Sequence, residues 1–300
     1  MFTKKRPDGT YIKDMHFFDR LLPYLMPTRS DAVIYFETEF DVTETLQYIH
    51  RKRREDPARK NLGLFYIILY ASLRVLAQRP KMNRFVSGYR YYQRNRISFN
   101  FVAKRGLKDD GEELNVTQSF PPFISLHDFC AKIDACILSL KAGENSDSEK
   151  LNSFVAGLPR FIIRFMMRGV QFLDRHNALP MSAIDSLPFY SSIFFTHVGS
   201  VGIDAPFHHN FEIGNCGIFC AIGKLRKEYR FTADGTPTPR RVIKITYTFD
   251  DRIADGIYCA RAVDMVSDLV RNPEKLEIPL VLTAKQIAAL ALAKRETAGT

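Results

Sequence analysis

The chain has 300 residues and a mass of 34.5 kDa, with 46% of its residues hydrophobic and 25% charged. This composition is typical of a globular protein, long enough for one large domain or two small ones, and it excludes a chain without a buried core. The formal net charge of +10 and the sequence pI of about 9.4 predict an anionic partner, but charge alone does not distinguish nucleic acid from a small phosphorylated ligand.

Neither a targeting segment nor a membrane span is predicted. The N-terminus, MFTKKRPDGTY, is charged but lacks the apolar stretch of a signal peptide. The longest apolar run, LGLFYIILYASL at 62–73, is too short to cross a bilayer and predicts a buried helix. Five cysteines form no even framework, which predicts reduced thiols and a cytoplasmic location.

The first half of the chain predicts strands and helices in irregular order. The predicted elements are a strand over 31–41, a helix from Val42, an apolar helix over 62–79, a hairpin and a further strand over 84–106, and a helix over 123–140 capped by Ser125. The basic segment HRKRREDPARK at 50–60 is interrupted by acids and predicts a solvated helix end. No nucleic-acid partner is therefore expected.

A polar, acidic stretch at 143–151 predicts a loop in the middle of the chain. The segment 158–180 that follows predicts an apolar helix, and it carries four arginines: Arg160, Arg164, Arg168 and Arg175. Such a basic amphipathic helix suits a membrane surface, but it also suits a position over the protein's own core or against a neighbouring subunit. We expect one of the latter two positions, and therefore no membrane contact.

The second half of the chain predicts mainly strands. The predicted elements are strands over 191–199 and 216–231, a turn at Asp234 and Gly235, a return strand over 240–249, a helix from Gly256 to Asn272 and a last helix over 283–296. Apolar and polar residues alternate along the return strand, which predicts one buried face. Because strands and helices mix without regular βαβ alternation, the predicted fold class is α+β.

A motif at the end of the return strand resembles a known family. The segment YTFDDRIADGIYCAR at 247–261 is similar to the family's strand, His-x-x-x-Asp-Gly and helix, with Asp251 at the His position and Asp255 and Gly256 at the Asp-Gly positions. Three upstream segments resemble further family elements in the family's order: FETEFDVTE at 36–44, FFTHVGSVG at 194–202 and GIFCAIGKLRK at 217–227. The chain is thereby identified as a member of the superfamily formed by the catalytic domain of 2-oxoacid dehydrogenase dihydrolipoyl acyltransferases and by chloramphenicol acetyltransferase.

The resemblance implies a single acyltransferase-like domain over 1–300. Its fold is expected to be a chloramphenicol acetyltransferase-like two-layer sandwich, a mixed sheet with helices on one face. Relative to the usual domain, residues from about 150 to 185 are expected to be a helical insertion, and 283–300 a C-terminal helix or tail. Lipoyl and subunit-binding domains are absent from the sequence, so a free-standing member is expected. The resemblance also implies a homotrimer and leaves a larger assembly open.

The family's reaction implies roles for individual residues. A base takes a proton from a thiol or hydroxyl, which attacks a thioester carbonyl, and a Ser or Thr hydroxyl holds the resulting oxyanion. Coenzyme A (CoA) or acyl-CoA is the implied co-substrate, no metal is implied, and the site lies between subunits. Thr196 matches the oxyanion-binding residue. Asp255, beside Gly256, matches the aspartate of a structural ion pair, for which Arg20 is the expected partner.

The position of the catalytic base holds Asp251 instead of histidine. An unperturbed Asp, with a pKa of about 3.9, is a weaker base than His, with a pKa of about 6.5, so proton transfer to it is roughly 3.5 kcal/mol less favourable. Burial and the charges of Asp250 and Asp255 would raise the pKa of Asp251, whereas Arg252 would lower it. The chemistry of this position therefore depends on its surroundings.

Three histidines are alternative bases. His197 directly follows Thr196, but neighbours on a strand point to opposite faces. His208 and His209 lie in a predicted loop that, by resemblance, borders the substrate channel. They lack a third ligand at a recognisable spacing, so no metal site is predicted. No CoA-binding residue is identified from the sequence.

Two functions follow from these observations. The first is a CoA-dependent acyltransferase that moves an acyl group between CoA and a thiol or hydroxyl acceptor, with an altered base. The second is a catalytically inactive homologue that serves as a trimeric scaffold or as a ligand- or partner-binding module. The extent of the resemblance favours the first function, and the loss of the histidine favours the second.

Overall fold

The computed structural model describes residues 4–104, 113–141 and 157–292. The strands of these residues are β1 (Gly9–Tyr11), β2 (Val33–Asp41), β3 (Arg84–Ser87), β4 (Arg90–Arg94), β5 (Ile97–Lys104), β6 (Glu113–Phe120), β7 (Ile193–His197), β8 (Ile218–Phe231) and β9 (Pro237–Asp250). The α-helices are α1 (Phe17–Leu25), α2 (Thr43–Glu55), α3 (Leu64–Gln78), α4 (Leu126–Lys141), α5 (Arg160–Arg175), α6 (Met181–Ser186), α7 (Gly256–Arg271) and α8 (Ala284–Leu290).

The main sheet has six strands in the order β2-β9-β8-β7-β5-β6. Strand β7 runs parallel to both of its neighbours, β5 and β8, while the other pairs are antiparallel. A second, smaller sheet has three strands in the order β1-β4-β3. The sheet is therefore mixed, as predicted, and the α+β fold class is confirmed.

One face of the main sheet forms the core with the helices. On β9 the alternating residues Ile243, Ile245, Tyr247 and Phe249 are all buried, and they join one apolar cluster with residues of α2, α3, α4, α7 and α8. Strand residues alternate between two faces, so the pattern read from the sequence places this face correctly. The opposite face, which we call the open face, carries Phe194 and Phe219 with Phe211 packed against them.

Most predicted elements lie where the sequence places them. The apolar run at 62–73 forms the first part of α3, which is buried along most of its length, and Ser125 accepts a hydrogen bond from the backbone N–H of Asp128 at 3.1 Å. The predicted loop at 143–151 lies outside the described residues. The last predicted helix is shorter than expected and is helical over Ala284–Leu290. Among the described residues, the helices are all too short or too polar to span a membrane.

Helix α5 contacts the rest of the chain mainly through its C-terminal half. Asp174 is buried and pairs with Arg6 at 2.8 Å, and Val170 packs on the small cluster around Tyr190. The N-terminal half differs, because Phe161 and Phe165 are 74% and 78% exposed. The expectation that this helix covers the protein's own core therefore holds only for its last two turns.

Candidate active site

The junction of β9 and α7 carries the motif that the sequence singled out. Asp255 is the N-cap of α7, and its carboxylate accepts a hydrogen bond from the backbone N–H of Tyr258 at 2.9 Å. Gly256 is the first residue of the helix. The expected partner, Arg20, donates instead to the backbone carbonyl of Met15 at 3.1 Å. Within the described residues no ion pair joins Arg20 to Asp255, so the observed role of Asp255 is to cap the helix.

Asp250, which ends β9, forms a buried ion pair that the sequence did not reveal. Arg252 donates to it through Nε and Nη2, both at 2.7 Å, and both side chains are almost fully buried. Arg252 also donates from Nη1 to the backbone carbonyl of Met26 at 2.9 Å. A fork-to-fork pair of this kind fixes the turn between β9 and α7. The sequence indicated no role for Asp250 beyond its charge near Asp251.

Asp251 lies next in the chain and has a different environment. Its backbone N–H donates to the carbonyl of Ala32 at 2.7 Å. Asp251 is half-buried and lines a cavity of about 270 Å³. Burial, and to a lesser degree the charge of Asp250, raises the pKa of Asp251 above its ordinary value. A raised pKa is the change that a carboxylate needs to act as a stronger base.

The cavity beside Asp251 combines apolar and cationic walls. Phe18 and Leu22 of α1 line one part of it, and Lys81 and Arg84 contribute positive charge. Burial lowers the pKa of Arg84, whose Nε reaches the side-chain oxygen of Gln93 at 3.4 Å. A partly buried guanidinium favours an anionic group in the same cavity, because each charge offsets the desolvation of the other.

Thr196 is not among the residues that line this cavity. It sits on β7 and follows Phe195, which belongs to the helix-covered core, so alternation places the side chain of Thr196 on the open face. The strand register aligns Thr196 with Ala221 and Thr246. Asp251 comes five residues after Thr246, a separation of about 17 Å along an extended strand. One copy of the chain therefore does not bring Thr196 and Asp251 together.

His197 points to the other face of the sheet, as its place on the strand predicts. Its ring stacks on Phe65 of α3 with ring centres 5.7 Å apart, and burial lowers the pKa of His197. It is therefore separated from Thr196 by the sheet itself.

His208 and His209 lie on the open face. The ring of His208 stacks flat on Phe219 at 3.7 Å, and its backbone carbonyl accepts a hydrogen bond from the hydroxyl of Thr248. Burial lowers the pKa of His208, as does the charge of His209, although the contact of its Nδ1 with the backbone carbonyl of His209 opposes this. His209 itself is exposed. The pair shares a face with Thr196, whereas the cavity beside Asp251 has no histidine among its described lining residues.

The remaining thiols and acids form no metal centre among the described residues. Cys216 and Cys220 are buried in two different apolar clusters, Cys216 on the open face and Cys220 in the core. Burial raises the pKa of Cys220, which makes it a poor nucleophile or ligand. Both side chains contribute packing.

Comparison with known proteins relates part of the chain to a family model. Residues 193–278 match the family model described as 2-oxoacid dehydrogenases acyltransferase (catalytic domain). This segment runs from β7 to a point just beyond α7 and contains Thr196, Asp251 and Asp255. Among curated proteins, no sequence matches.

Solved structures match over almost the whole chain. A probable dihydrolipoamide acetyltransferase from Listeria monocytogenes has a TM-score of 0.58 at 12% identity, covering 91% of this chain and 99% of its own. A dihydrolipoamide acetyltransferase from Azotobacter vinelandii also has a TM-score of 0.58, at 13% identity, covering 89% and 94%. The cubic core of a pyruvate dehydrogenase multienzyme complex has a TM-score of 0.55 at 13% identity, covering 89% and 94%.

Identities this low show the fold alone. The match to the family model covers the segment that carries the motif. The sandwich architecture predicted from the resemblance is confirmed. The chain has the chloramphenicol acetyltransferase-like fold of the dihydrolipoamide acetyltransferases, and its residues 193–278 match the acyltransferase catalytic domain of the 2-oxoacid dehydrogenases.

Proposed function

We propose that this protein is a CoA-dependent acyltransferase that moves an acyl group between CoA and a thiol or hydroxyl acceptor. The observation that carries the proposal is the environment of Asp251. By resemblance, Asp251 stands at the family's base position, and it lies inside the matched segment. It lines a cavity of about 270 Å³, and its pKa is raised. A carboxylate in such a place is suited to proton transfer in a way that an exposed aspartate is not.

Each step of the reaction has a residue suited to it. The Asp251 carboxylate takes the proton of the acceptor thiol or hydroxyl, whose sulfur or oxygen then attacks the carbonyl carbon of acyl-CoA. The hydroxyl of Thr196 donates to the oxyanion of the tetrahedral intermediate. Collapse of the intermediate breaks the bond between the acyl carbon and the CoA sulfur, and the departing thiolate receives the proton from Asp251.

The separation of Thr196 and Asp251 supports a site made from two copies of the chain. Because the sheet holds them about 17 Å apart along the strand direction, Thr196 of one copy would face Asp251 of the next. A homotrimer meets this need with three equivalent sites, and a larger assembly can be built from trimers. Lys81 and Arg84 would hold an anionic part of the substrate, and the CoA phosphates are candidates.

The chain organisation proposed from the resemblance is a single domain. The main sheet draws strands from residues 33–250, which supports one continuous fold with a helical insertion at about 150–185 and a short C-terminal helix. All five cysteines are free thiols, which supports a cytoplasmic location.

A scaffold without catalysis is the second candidate function. It is favoured by the positions of the histidines, because His197 stacks on Phe65 and His208 on Phe219. Neither imidazole lines the cavity beside Asp251. If the carboxylate alone is too weak a base, the protein would keep the fold, the assembly and ligand binding without turnover.

An acyl-CoA turnover assay separates the two functions. Release of free CoA would be followed with a panel of acyl-CoAs and with dithiol or alcohol acceptors, using wild type, Asp251→Asn and His208→Ala. We expect wild type and His208→Ala to turn over and Asp251→Asn to lose most activity. Asp19→Asn, which removes another acid of the same cavity, is the matched control. Measurable CoA binding without turnover in wild type would instead support the scaffold.

A further inference from the structure

Helix α5 presents an apolar stripe to solvent. Phe161 and Phe165 lie one turn apart on the same side, and they are among the most exposed large apolar side chains of the described residues, at 74% and 78%. Exposed aromatic side chains placed next to each other on a helix mark an interaction surface more often than single exposed residues do.

A basic stripe runs beside the apolar one. Arg160, Arg164 and Arg168 recur every four residues, so they align along the helix, one position before the phenylalanines. All three are exposed, and none forms an ion pair with an acid among the described residues. Phenylalanines beside arginines on one exposed side of a helix are the pattern of helices that lie in the plane of a membrane surface.

The C-terminal half of α5 fixes the helix to the fold. Asp174 pairs with Arg6 at 2.8 Å, and its backbone carbonyl accepts from Arg6 at 3.0 Å and from Ser87 at 3.2 Å. Arg175 touches the β3–β4 turn so closely that a Cβ added to Gly88 would lie 2.2 Å from its backbone oxygen. The C-terminal end of α5 is therefore fixed by several contacts, and the exposed N-terminal half extends from it.

We propose that α5 binds the protein to an anionic lipid surface, with Phe161 and Phe165 entering the acyl boundary and the three arginines contacting lipid phosphates. Charge complementarity favours anionic lipid over the α5 surface of a second copy of the chain. Each copy carries a net charge of +10, and pairing two α5 surfaces would bring two sets of arginines together. The sequence alone had led us to expect no membrane contact, and the exposed positions of the two phenylalanines change that expectation.

The test is co-sedimentation of the full chain with vesicles of phosphatidylcholine alone and of an equimolar mixture with phosphatidylglycerol. We expect binding to the anionic vesicles only, weakening with added salt. The double variant Phe161→Ser, Phe165→Ser should bind at least about tenfold more weakly, since each ring leaves the apolar boundary. The triple variant Arg160→Gln, Arg164→Gln, Arg168→Gln should lose on the order of 100-fold, roughly fivefold for each charge near the surface.

Matched controls lie on the β8–β9 hairpin. Phe231 is 73% exposed, so Phe231→Ser repeats the aromatic change elsewhere, and Lys224→Gln, Lys227→Gln and Arg230→Gln together repeat the charge change. These variants should bind as wild type does. The proposal would be overturned if wild type did not bind anionic vesicles. It would also be overturned if the Phe161→Ser, Phe165→Ser variant bound them as tightly as wild type. A fall in oligomeric mass of that variant by light scattering, together with no lipid binding, would overturn it as well, because the surface would then be an interface between copies.

Discussion

At the scale of single residues, adjacent acids of the β9–α7 turn have opposite surroundings. The turn directs Asp250 inward onto Arg252 and leaves Asp251 at the cavity. The carboxylate of Asp250 lies close enough to Asp251 that its negative charge adds to burial in raising the pKa of Asp251. A carboxylate with a raised pKa is thus produced by local structure, without a histidine.

The pH dependence of turnover tests the role of Asp251. A base must be deprotonated, so kcat/KM should fall as pH drops through its pKa, and the raised pKa places this fall above the ordinary Asp value of about 3.9. In Asp251→His the fall should move to about pH 6.5, and the stronger base should raise the rate by up to some hundreds-fold. pH–rate profiles of both proteins measure this, and an unchanged acidic limb in Asp251→His would exclude this residue as the base.

The same shift predicts an effect on stability. The folded state raises the pKa of Asp251, so ionisation of this group disfavours folding at pH values above the folded pKa, and the penalty disappears below the unfolded pKa of about 3.9. Asp251→Asn should therefore have a slightly higher Tm than wild type at pH 7, and the two should converge as pH approaches 3. Thermal melts across this range test the sign, and Asp264→Asn, which removes an exposed acid of α7, is the control.

The Asp250–Arg252 pair should be structurally essential. Arg252→Met leaves a buried carboxylate without its partner, which costs about 3–5 kcal/mol of the free energy of unfolding. Adding Asp250→Asn should recover part of that loss, because the unpaired charge is removed. Lys275→Met, which breaks the exposed pair with Asp268, should cost less than about 1 kcal/mol. Urea unfolding of the four proteins gives these values, and a loss for Arg252→Met no larger than for Lys275→Met would contradict the assignment.

The sequence identified the position of Asp251 but not its environment. A motif specifies the order and spacing of residues. The position of the base could therefore be assigned from its spacing to Asp255 and Gly256. The environment of the turn also depends on distant residues. Arg252 donates to the carbonyl of Met26 and Asp251 to that of Ala32, both more than 200 residues earlier in the chain. Arg20 donates to the backbone carbonyl of Met15 rather than to Asp255, a contact that no local sequence pattern specifies.

At the scale of elements, the long regular segments were predictable and the short ones were not. The hydrophobic alternation of β9 predicts its buried face, and the turn at Asp234 and Gly235 predicts the hairpin with β8. Strand β1 is three residues long, and α1 contains Pro23. A strand this short leaves no periodic signal, and the proline inside α1 argues against a helix although its apolar residues recur at helical spacing. Helix α1 nevertheless lines the cavity beside Asp251.

The attachment of α5 can be tested through a glycine. Gly88 has φ of +54°, and a Cβ there would lie 2.2 Å from the backbone oxygen of Arg175, so Gly88→Ala must displace the end of the helix. Gly235 also has positive φ, of +82°, but nothing lies within 4 Å, so Gly235→Ala carries only the backbone penalty of about 1–2 kcal/mol. We expect Gly88→Ala to be the more destabilising and to speed amide hydrogen exchange in the last turns of α5. Equal exchange in the two variants would show that this contact does not hold the helix.

At the scale of the whole molecule, the sheet register separates the residues that the proposed reaction would use. Thr196 and His208 occupy the open face, whereas Asp251 lies beyond the end of β9 in a cavity formed with α1. A site that uses both Thr196 and Asp251 therefore requires a second copy, and the fold presents both halves of it on every chain. This arrangement would make catalysis depend on assembly.

Mixing two inactive variants tests this dependence. Thr196→Ala and Asp251→Asn should each lose most activity alone, because each lacks one half of every site. When the two chains are co-expressed and assemble at random into trimers, about a quarter of the interfaces pair an intact Thr196 with an intact Asp251. We therefore expect about a quarter of wild-type turnover to return in the mixture, with no recovery when separately assembled proteins are combined without exchange. If both residues acted within one chain, the co-expressed mixture would stay as inactive as its components, and the proposal of a shared site would be wrong.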